Sequence, residues 1–394
     1  MISFLGVIVA IVGLGFLILA HEFGHFIVAK ATGMRVEEFS LGFGPYLVSR
    51  RIGETVYGIS AIPLGGYVRV TGMHREEFEA VVAEARGLRT RSESEEASST
   101  TSDSHRARDP EERLAGRRAL SAEEIAATPL ERRYYAHPFW HKFLFIVAGV
   151  TMNLLVALLL VWVVGVSQGE NVVSTVVQSV APGAPAEAAG LRPGDRIISI
   201  AGSATDTWEE VRTKVLTRPG QAVTVVVERN GDQVELPVVL GLREDGTGYL
   251  GVEPAIEHRD LGVLGALGYA GRLTGHMVAL VFKGIGMMFS GEVPVIGSQG
   301  LAGPVGIIQL SSEAFAEGYY LMLLALISVN LAILNMLPLL PLDGGHVVMS
   351  IIERIRGRSV SLRVFERISM VGFVLFVALF LVATSNDIGR LFGG

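Results

Sequence analysis

The 394-residue sequence contains no cysteine. Disulfide bonds, cysteine nucleophiles and thiolate ligands are therefore excluded, so any metal must be held by His, Asp or Glu. Basic residues are also few: there are 33 Lys and Arg against 39 Asp and Glu, and the arginines are scattered among the acids. This distribution lacks the basic stripe of a nucleic-acid-binding surface, so no nucleic-acid partner is expected.

Charged residues make up only 18% of the chain, whereas hydrophobic residues make up 50% and the mean hydropathy is +0.46. This balance is typical of a membrane protein, and it makes the lipid bilayer the first expected partner. Four uncharged runs reach the length of about 20 residues that a membrane-spanning helix needs. They cover residues 2–20, 143–165, 319–342 and 368–386. The first run leads directly into a charged motif and has no basic segment before it, so we interpret it as a retained span.

The lysines and arginines predict the orientation of these spans. Residues 30–142 contain 17 of them, whereas the longer stretch 166–320 contains 10, and the short loop after the third run carries five arginines. By the positive-inside rule the first and third loops are cytoplasmic, and both termini lie outside. The ends of the first and third spans therefore approach the same cytoplasmic face.

The first span ends in the H-E-x-x-H motif of residues 21–25. Residues four apart share a helix face, so His21 and His25 are expected to present two imidazole nitrogens to one Zn²⁺ ion. Glu22, one step around the helix, is the expected general base toward a water molecule at the metal. Three ionisable groups at the end of an apolar run are costly to keep there for packing alone, which favours the functional interpretation.

The third ligand is expected at the end of the third span. Asp343 lies at about the same depth as His21 and His25, so a His, His, Asp site can assemble between two spans that are distant in sequence. Pro338 and Pro341 interrupt the helix hydrogen bonds and predict a break beside the metal.

Two asparagines of the third span, Asn330 and Asn335, are candidates for hydrogen bonds to a bound peptide or an oxyanion. Asparagine in a span is also a common partner in hydrogen bonds between helices, so this alternative stays open.

Residues 55–73 are rich in β-branched and aromatic residues and are interrupted by glycine and proline, which predicts short strands or a hairpin. A substrate helix must unwind before cleavage, and a strand edge would supply replacement backbone hydrogen bonds. We therefore expect residues 62–70 to pack against the substrate. The candidate residues are Ile62, Gly65, Gly66, Tyr67 and Val68. The alternative is a hairpin that only seals the helix bundle.

Three further segments differ from the spans in composition. Residues 79–133 contain no aromatic residue, and residues 93–105 are of low complexity, which predicts a polar insert. Residues 172–253 contain alternating valines and an A-x-x-A-G-L-x-x-G-D segment at 186–195, an order that resembles a bacterial PDZ domain. Residues 261–289 are apolar but broken by glycine and carry three basic residues, which favours a helix along the outer surface over a fifth span.

The H-E-x-x-H motif in the first span, Leu342-Asp343-Gly344 in the third, and a PDZ-like domain before the third span resemble the bacterial site-2 protease family. The single PDZ-like domain is similar to the actinobacterial type. The resemblance implies that His21, His25 and Asp343 are zinc ligands, that Glu22 is the catalytic base, and that Asn330 and Asn335 handle substrate. It also implies single-span substrates, such as anti-sigma factors, that have first been cut outside the membrane.

The expected fold is a polytopic α-helical membrane protein of about four spans, with an inserted extracytoplasmic α+β PDZ-like domain and a small membrane-associated β-hairpin. The expected segments run as follows: first span 1–29, cytoplasmic loop 30–139, second span 140–166, PDZ-like domain 170–255, surface helix region 260–310, third span 318–346, cytoplasmic loop 347–366 and fourth span 367–386.

The sequence therefore predicts an intramembrane zinc endopeptidase of the cell membrane, with its active site near the cytoplasmic face and a peptide or chain end as ligand of the PDZ-like domain. The alternative is a membrane scaffold that gathers partners through that domain and holds a structural metal. A metal transporter is disfavoured because the titratable groups lie at one depth and form no path across the membrane.

Overall fold

The computed structural model describes residues 4–73, 75–76, 78–83, 85–87, 120–292, 294, 297, 302–358 and 360–392. The chain forms two compact units, one made of Met1–Val163 with Ala270–Gly394 and the other of Val164–Tyr269. The polar insert predicted at 79–133 falls largely outside the described residues, and so does its low-complexity part at 93–105.

The first unit is a helix bundle with one two-stranded ribbon. Its long helices are α1 (Phe4–Ala31), α3 (Phe139–Gln168), α6 (Val263–Ser290) and α10 (Leu362–Phe392). The last residues of α3 and the first residues of α6 belong to the second unit. The shorter helices are α2 (Ala122–Ala126), α7 (Pro304–Ala316), α8 (Tyr320–Asn335) and α9 (Asp343–Arg356). Two 3₁₀ turns, Leu130–Arg132 and Tyr134–Ala136, precede α3.

Among the described residues, four helices are long and apolar enough to cross a membrane: α1, α3, α6 and α10. Helix α1 covers residues 4–20 of the first run, and α3 and α10 contain the second and fourth runs found in the sequence. The fourth helix is α6, a continuous helix of 28 residues where the sequence favoured a surface helix. Length and composition suit α6 to a span as well, so its place on the membrane surface stays a prediction.

The third apolar run is not one continuous helix. Helix α8 has 16 residues and ends at Asn335, and α9 begins only at Asp343. Pro338 and Pro341 lie in the intervening turn, where proline lacks the N–H that a continuing helix would need. The start of α9 folds back closely on this turn, because a Cβ atom at Gly344 would stand 2.1 Å from the Met336 carbonyl oxygen.

A β-ribbon follows α1. Strands β1 (Val36–Ile52) and β2 (Thr55–Val70) pair antiparallel, and Phe39 stands opposite both Tyr57 and Val68. The first half of β1 therefore lies between two parts of β2, and the last part of β2, from Gly66 to Val70, lies outside it. The sequence predicted strands within 55–73 but did not predict β1.

The ribbon is held against the bundle by a shared apolar core. Buried side chains from the end of α1, both strands, the start of α3 and the start of α9 meet there. They are Ala29, Met34, Val36, Val70, Tyr134, Phe145, Ile146 and Val347. Helices α1 and α3 also approach closely, because a Cβ atom at Gly24 would stand 2.4 Å from the Ala148 carbonyl oxygen.

A buried carboxylate in α10 caps the start of α7. Asp387, with a side chain only 1% exposed, accepts hydrogen bonds from the N–H groups of Gly303 (3.0 Å) and Gly306 (2.8 Å). Arg390 lies 3.1 Å from the same carboxylate. A negative charge at a helix N-terminus is favourable because the first N–H groups have no partner within the helix. The glycine- and proline-containing stretch 303–306 therefore forms a capped helix start.

The second unit is an α+β domain. Its main sheet has the order β10-β3-β4-β6-β7 with β5 paired to β4, and β8 pairs with β9. The strands are β3 (Glu170–Val180), β4 (Arg196–Ile200), β5 (Ser203–Ala204), β6 (Ala222–Arg229), β7 (Asp232–Val239), β8 (Gly241–Leu242), β9 (Gly248–Tyr249) and β10 (Val252–Arg259). Its helices are α4 (Pro185–Ala188) and α5 (Trp208–Leu216). Both helices contribute to one buried core, which includes Ala186 and Val211.

Candidate metal centre

Helix α1 presents His21 and His25 on one face, as the four-residue spacing requires. Both side chains are buried, with exposed fractions of 7% and 6%. Their Nε2 atoms lie 3.3 Å apart, and the two rings meet edge to face. The helix therefore directs two imidazole nitrogens to a single point.

Asp343 completes the group from the first residue of α9. Its Oδ2 atom lies 3.1 Å from Nε2 of His21 and 3.4 Å from Nε2 of His25. The helix N-terminus favours the ionised form of this carboxylate. Within the described residues, this is the one group of three or more His, Asp or Glu whose ligand atoms lie close enough to share a metal.

The distances among these three atoms fit a zinc ion. Ligands at 2.0–2.1 Å from a tetrahedral zinc lie about 3.3 Å from each other. The three separations, 3.1, 3.3 and 3.4 Å, are close to that value. Asp343 Oδ2 is also buried, and among the described residues it faces only the two histidine nitrogens, which is costly for a carboxylate oxygen unless a cation neutralises it.

The other ring nitrogens of the histidines are engaged by α3. Nδ1 of His25 donates to the Phe145 carbonyl oxygen at 2.7 Å, which leaves Nε2 as the nitrogen with a free lone pair. Nδ1 of His21 lies 3.1 Å from the amide nitrogen of Asn153. Helix α3 thus contacts the Nδ1 atom of both histidines.

Gly149 of α3 lies between these two contacts and leaves the centre open. A Cβ atom at this position would stand 2.4 Å from Nε2 of His25 and 2.8 Å from Nε2 of His21. Any side chain at residue 149 would therefore occupy space beside the ligand atoms. The space beside the ligand atoms exists because residue 149 is glycine.

Glu22 is half-buried beside the same group. Its carboxylate interacts electrostatically with His25, His21 and Asp343. On its other side lies the β-ribbon, since a Cβ atom at Gly66 would stand 2.8 Å from Cγ of Glu22. The structure therefore places the predicted base next to both the metal ligands and the predicted substrate strand.

The two candidate asparagines differ in position. The amide nitrogen of Asn335, at the end of α8, lies 3.4 Å from Nε2 of His21. The amide of Asn330 donates to the Leu326 carbonyl oxygen of its own helix at 3.0 Å. Asn335 therefore belongs to the centre, whereas Asn330 lies more than one turn earlier in α8.

The candidate substrate-binding residues of β2 differ in the contacts that they make. Gly66 contacts Glu22, as described above. The Tyr67 hydroxyl donates to Glu38 at 2.7 Å and its ring stacks on Phe43, while Val68 packs on the shared apolar core. Gly65 has φ +107°, which a non-glycine residue rarely adopts. Ile62 is 50% exposed.

Sequence reasoning did not select Asn153 or Gly149. The available signal was a lone amide inside an otherwise apolar span, one helical turn after a glycine. Polar residues inside spans usually face a partner in the bundle interior. That rule would have pointed to Asn153.

The chain is similar in sequence to known proteases. Residues 9–379 match the model of peptidase family M50. The zinc metalloprotease RasP of Oceanobacillus iheyensis is 30% identical, over 98% of this chain and 99% of the relative. The regulator of sigma-W protease RasP of Bacillus subtilis is 27% identical, over 98% of this chain and 99% of the relative.

Among solved structures, the PDZ domain of the SdrC-like protein of Listeria monocytogenes aligns with 21% of this chain and 87% of that chain. The sequence identity is 23% and the TM-score is 0.20.

Proposed function

The chain belongs to peptidase family M50, and from this membership and the metal centre we propose that it cuts membrane-spanning segments of single-span proteins. It is a multi-pass membrane protein with an inserted PDZ-like domain. It is a zinc metalloendopeptidase. The observation that carries the proposal is the convergence of His21, His25 and Asp343 beside Glu22.

We assign zinc binding to His21, His25 and Asp343. Zinc held there would supply a Lewis acid for the scissile carbonyl and for the negative charge that develops on its oxygen. Glu22 takes the proton of the attacking water and transfers it to the leaving amine. Asn335, whose amide nitrogen is 3.4 Å from Nε2 of His21, is placed to donate a hydrogen bond to the substrate carbonyl.

The last part of β2 is the proposed substrate strand. An unwound peptide laid along residues 66–70 would gain backbone hydrogen bonds that replace those of its helix. The contact between Gly66 and Glu22 supports this position, because it brings the scissile bond of such a peptide to the base. Tyr67 and Val68 would then fix the strand, and Ile62 would meet the substrate at the exposed end of the ribbon.

The substrates we propose are single-span regulators, including anti-sigma factors, that have first been cut outside the membrane. The Bacillus subtilis relative is named a regulator of sigma-W protease, which supports this class. The PDZ-like domain has a groove of about 230 Å³ between α5 and residues 248–252. Apolar Val211 and Val215 line this groove beside Arg212 and Arg243, which suits an apolar chain end with its carboxylate.

We further propose that both termini lie outside the cell and that the metal centre lies near the cytoplasmic face. The five arginines from the last turn of α9 to the start of α10 support this orientation, because short cytoplasmic loops and the adjoining helix ends are enriched in positive charge. Asp343 and the H-E-x-x-H motif then lie toward the inner side of the membrane.

The test is cleavage of a reporter with a helix-destabilised membrane span by the detergent-solubilised protein. Wild type and Glu22→Gln are compared, and bound zinc is measured in both. We expect cleavage by the wild type alone and about one zinc per chain in both, because Glu22 is not a ligand. Cleavage by Glu22→Gln would remove Glu22 from its role. Failure of the zinc-loaded wild type on several reporters would favour the scaffold alternative.

A further inference from the structure

Asn153 is a polar side chain in the middle of α3 that the reaction described above does not use. Its exposed fraction is 0%, and its amide nitrogen lies 3.1 Å from Nδ1 of His21. Its Oδ1 atom is buried and has no hydrogen-bond partner among the described residues. An unsatisfied buried amide oxygen is costly, so its presence beside a ligand histidine needs an explanation.

The hydrogen-bonding capacity of a ligand histidine supplies that explanation. A neutral imidazole that binds a metal through Nε2 carries its proton on Nδ1, and this N–H needs an acceptor. His25 has one, because its Nδ1 donates to the Phe145 carbonyl oxygen at 2.7 Å. Nδ1 of His21 faces the Asn153 amide in the same way, about two helical turns further along α3 than Phe145.

The amide of Asn153 can serve His21 in two orientations. With Nδ2 toward the ring, Asn153 donates to Nδ1, and the proton of His21 sits on Nε2, 3.1 Å from Asp343. A half-turn of the amide exchanges Nδ2 and Oδ1 without moving any other atom. Oδ1 then accepts the Nδ1 proton, and Nε2 is free to bind a metal.

We propose that Asn153 is a positioning residue that selects the metal-binding tautomer of His21 by presenting its Oδ1 atom to Nδ1. This inference rests on the proposed zinc site. Asn153 touches neither substrate nor metal, and it acts only through His21. The orphaned oxygen is the atom that would accept the proton in the zinc-bound form.

The backbone of Asn153 makes a separate contact with α8. The Asn153 carbonyl oxygen accepts a hydrogen bond from the Ser328 hydroxyl of α8 at 2.8 Å. Phe145, Gly149 and Asn153 follow one another at four-residue intervals, so they share one face of α3. Along that face, Phe145 contacts His25, Gly149 leaves space beside the ligand atoms, and Asn153 contacts His21.

A purely structural role makes a different prediction. If Asn153 only linked α3 to α1, its loss would lower stability and leave zinc affinity unchanged. A positioning role changes zinc affinity according to the acceptor at residue 153. The two roles are therefore separated by measuring affinity and stability on the same variants.

The experiment uses the full chain in detergent after metal removal. Zinc affinity is measured by competition with a chromogenic chelator, the Co²⁺ absorption bands report the ligand field, and the melting temperature of the metal-free protein reports stability. The variants are Asn153→Leu, which is nearly isosteric and has no acceptor, and Asn153→Asp, which keeps an acceptor. Ser328→Ala is the matched control, since it removes a neighbouring hydrogen bond without touching His21.

We expect Asn153→Leu to bind zinc about 10–100-fold more weakly, the usual cost of losing a histidine's outer partner. Asn153→Asp should bind several-fold more tightly, because a carboxylate is a stronger acceptor for the Nδ1 proton. Ser328→Ala should keep wild-type affinity.

Wild-type affinity in Asn153→Leu would overturn the proposal. If Asn153→Leu does not fold, Asn153→Asp decides alone, and unchanged or weaker binding overturns the proposal. Absence of zinc binding by the wild type would instead reject the proposed zinc site itself, so the two failures are distinguishable.

Discussion

Gly149 of α3 faces His25 of α1 so closely that a Cβ atom on residue 149 would stand 2.4 Å from Nε2 of the histidine. The same atom would lie 2.8 Å from Nε2 of His21. The two helices are also in close contact at Gly24 and Ala148, and this contact would be lost if α3 moved away from α1. The metal centre is therefore a three-helix site in which α3 contributes space instead of a ligand.

Gly149→Ala should abolish zinc binding, because the added methyl group overlaps the ligand nitrogens. The measurement is zinc content of the purified protein together with its melting temperature. Gly15→Ala is the matched control, since residue 15 lies in α1 and its Cβ would meet nothing within 4 Å. Normal zinc content in Gly149→Ala would show that the helices separate to admit the methyl group.

Gly66→Ala should reduce turnover while keeping zinc. The new methyl group would stand 2.8 Å from Cγ of Glu22 and 2.9 Å from the Ser40 carbonyl oxygen, so the base or the strand must shift. A displacement of about 1 Å at a reacting group can cost about 100-fold in rate. Reporter cleavage and zinc content are measured, with Ala61→Ser as a small change at an exposed position of the same strand. Unchanged cleavage by Gly66→Ala would argue against contact between the strand and the base.

Asp387→Asn should destabilise the bundle without changing the metal centre. The carboxylate holds the N–H groups of Gly303 and Gly306 and lies beside Arg390, and breaking such a buried charged contact costs about 3–5 kcal/mol. The melting temperature in detergent should fall, while zinc content stays that of the wild type. Thr384→Val is the control, because this exposed hydroxyl bonds only within its own helix. Equal melting temperatures for Asp387→Asn and wild type would show that the hydrogen bonds of Asp387 do not stabilise the contact between α10 and α7.

Helical spacing explains why part of the centre could be predicted from the sequence. Residues 21 and 25 must share a face in any helix, and charges at the end of an apolar run mark a functional depth. Pro338 and Pro341 predict an interruption of the third span by local chemistry alone. Roles for Glu22, the zinc ligands and the asparagines remain assignments that the experiments above test.

The contributions of α3 and β1 could not be predicted in the same way. Helix α3 is apolar on nearly all sides, so hydrophobic periodicity does not reveal which face meets α1. The lone amide of Asn153 was a signal for that face, but Gly149 carries none of its own. Strand β1 is mixed in composition, and it is stabilised by pairing with β2 on two sides. Both features depend on contacts between segments distant in the chain.

Acid should weaken the attachment of the β-ribbon to the end of α1. Glu54 accepts hydrogen bonds from Nη1 and Nη2 of Arg132, each at 2.7 Å, and from Nζ of Lys30 at 2.7 Å. These bonds, those of Arg132 first, lower the pKa of Glu54 to about 2. A carboxylate whose pKa is lowered by folding stabilises the folded state above its unfolded pKa of about 4.5. That stabilisation, about 1–2 kcal/mol for charge-assisted hydrogen bonds at a partly exposed site, is lost as the pH falls from about 4.5 toward 2.

The measurement that checks this is the melting temperature of the full chain in detergent, compared between wild type and Glu54→Gln from pH 7 to pH 2.5. At pH 7 the wild type should be the more stable, since glutamine keeps the shape but not the charge. The difference should shrink below pH 4.5, because the unfolded chain then takes up a proton at Glu54 that the folded protein does not. Glu124→Gln is the comparison for an exposed pair, and its loss of the Arg51 contact should change the melting temperature less. A difference between wild type and Glu54→Gln that stays constant across this pH range would mean that the charge of Glu54 does not hold the ribbon.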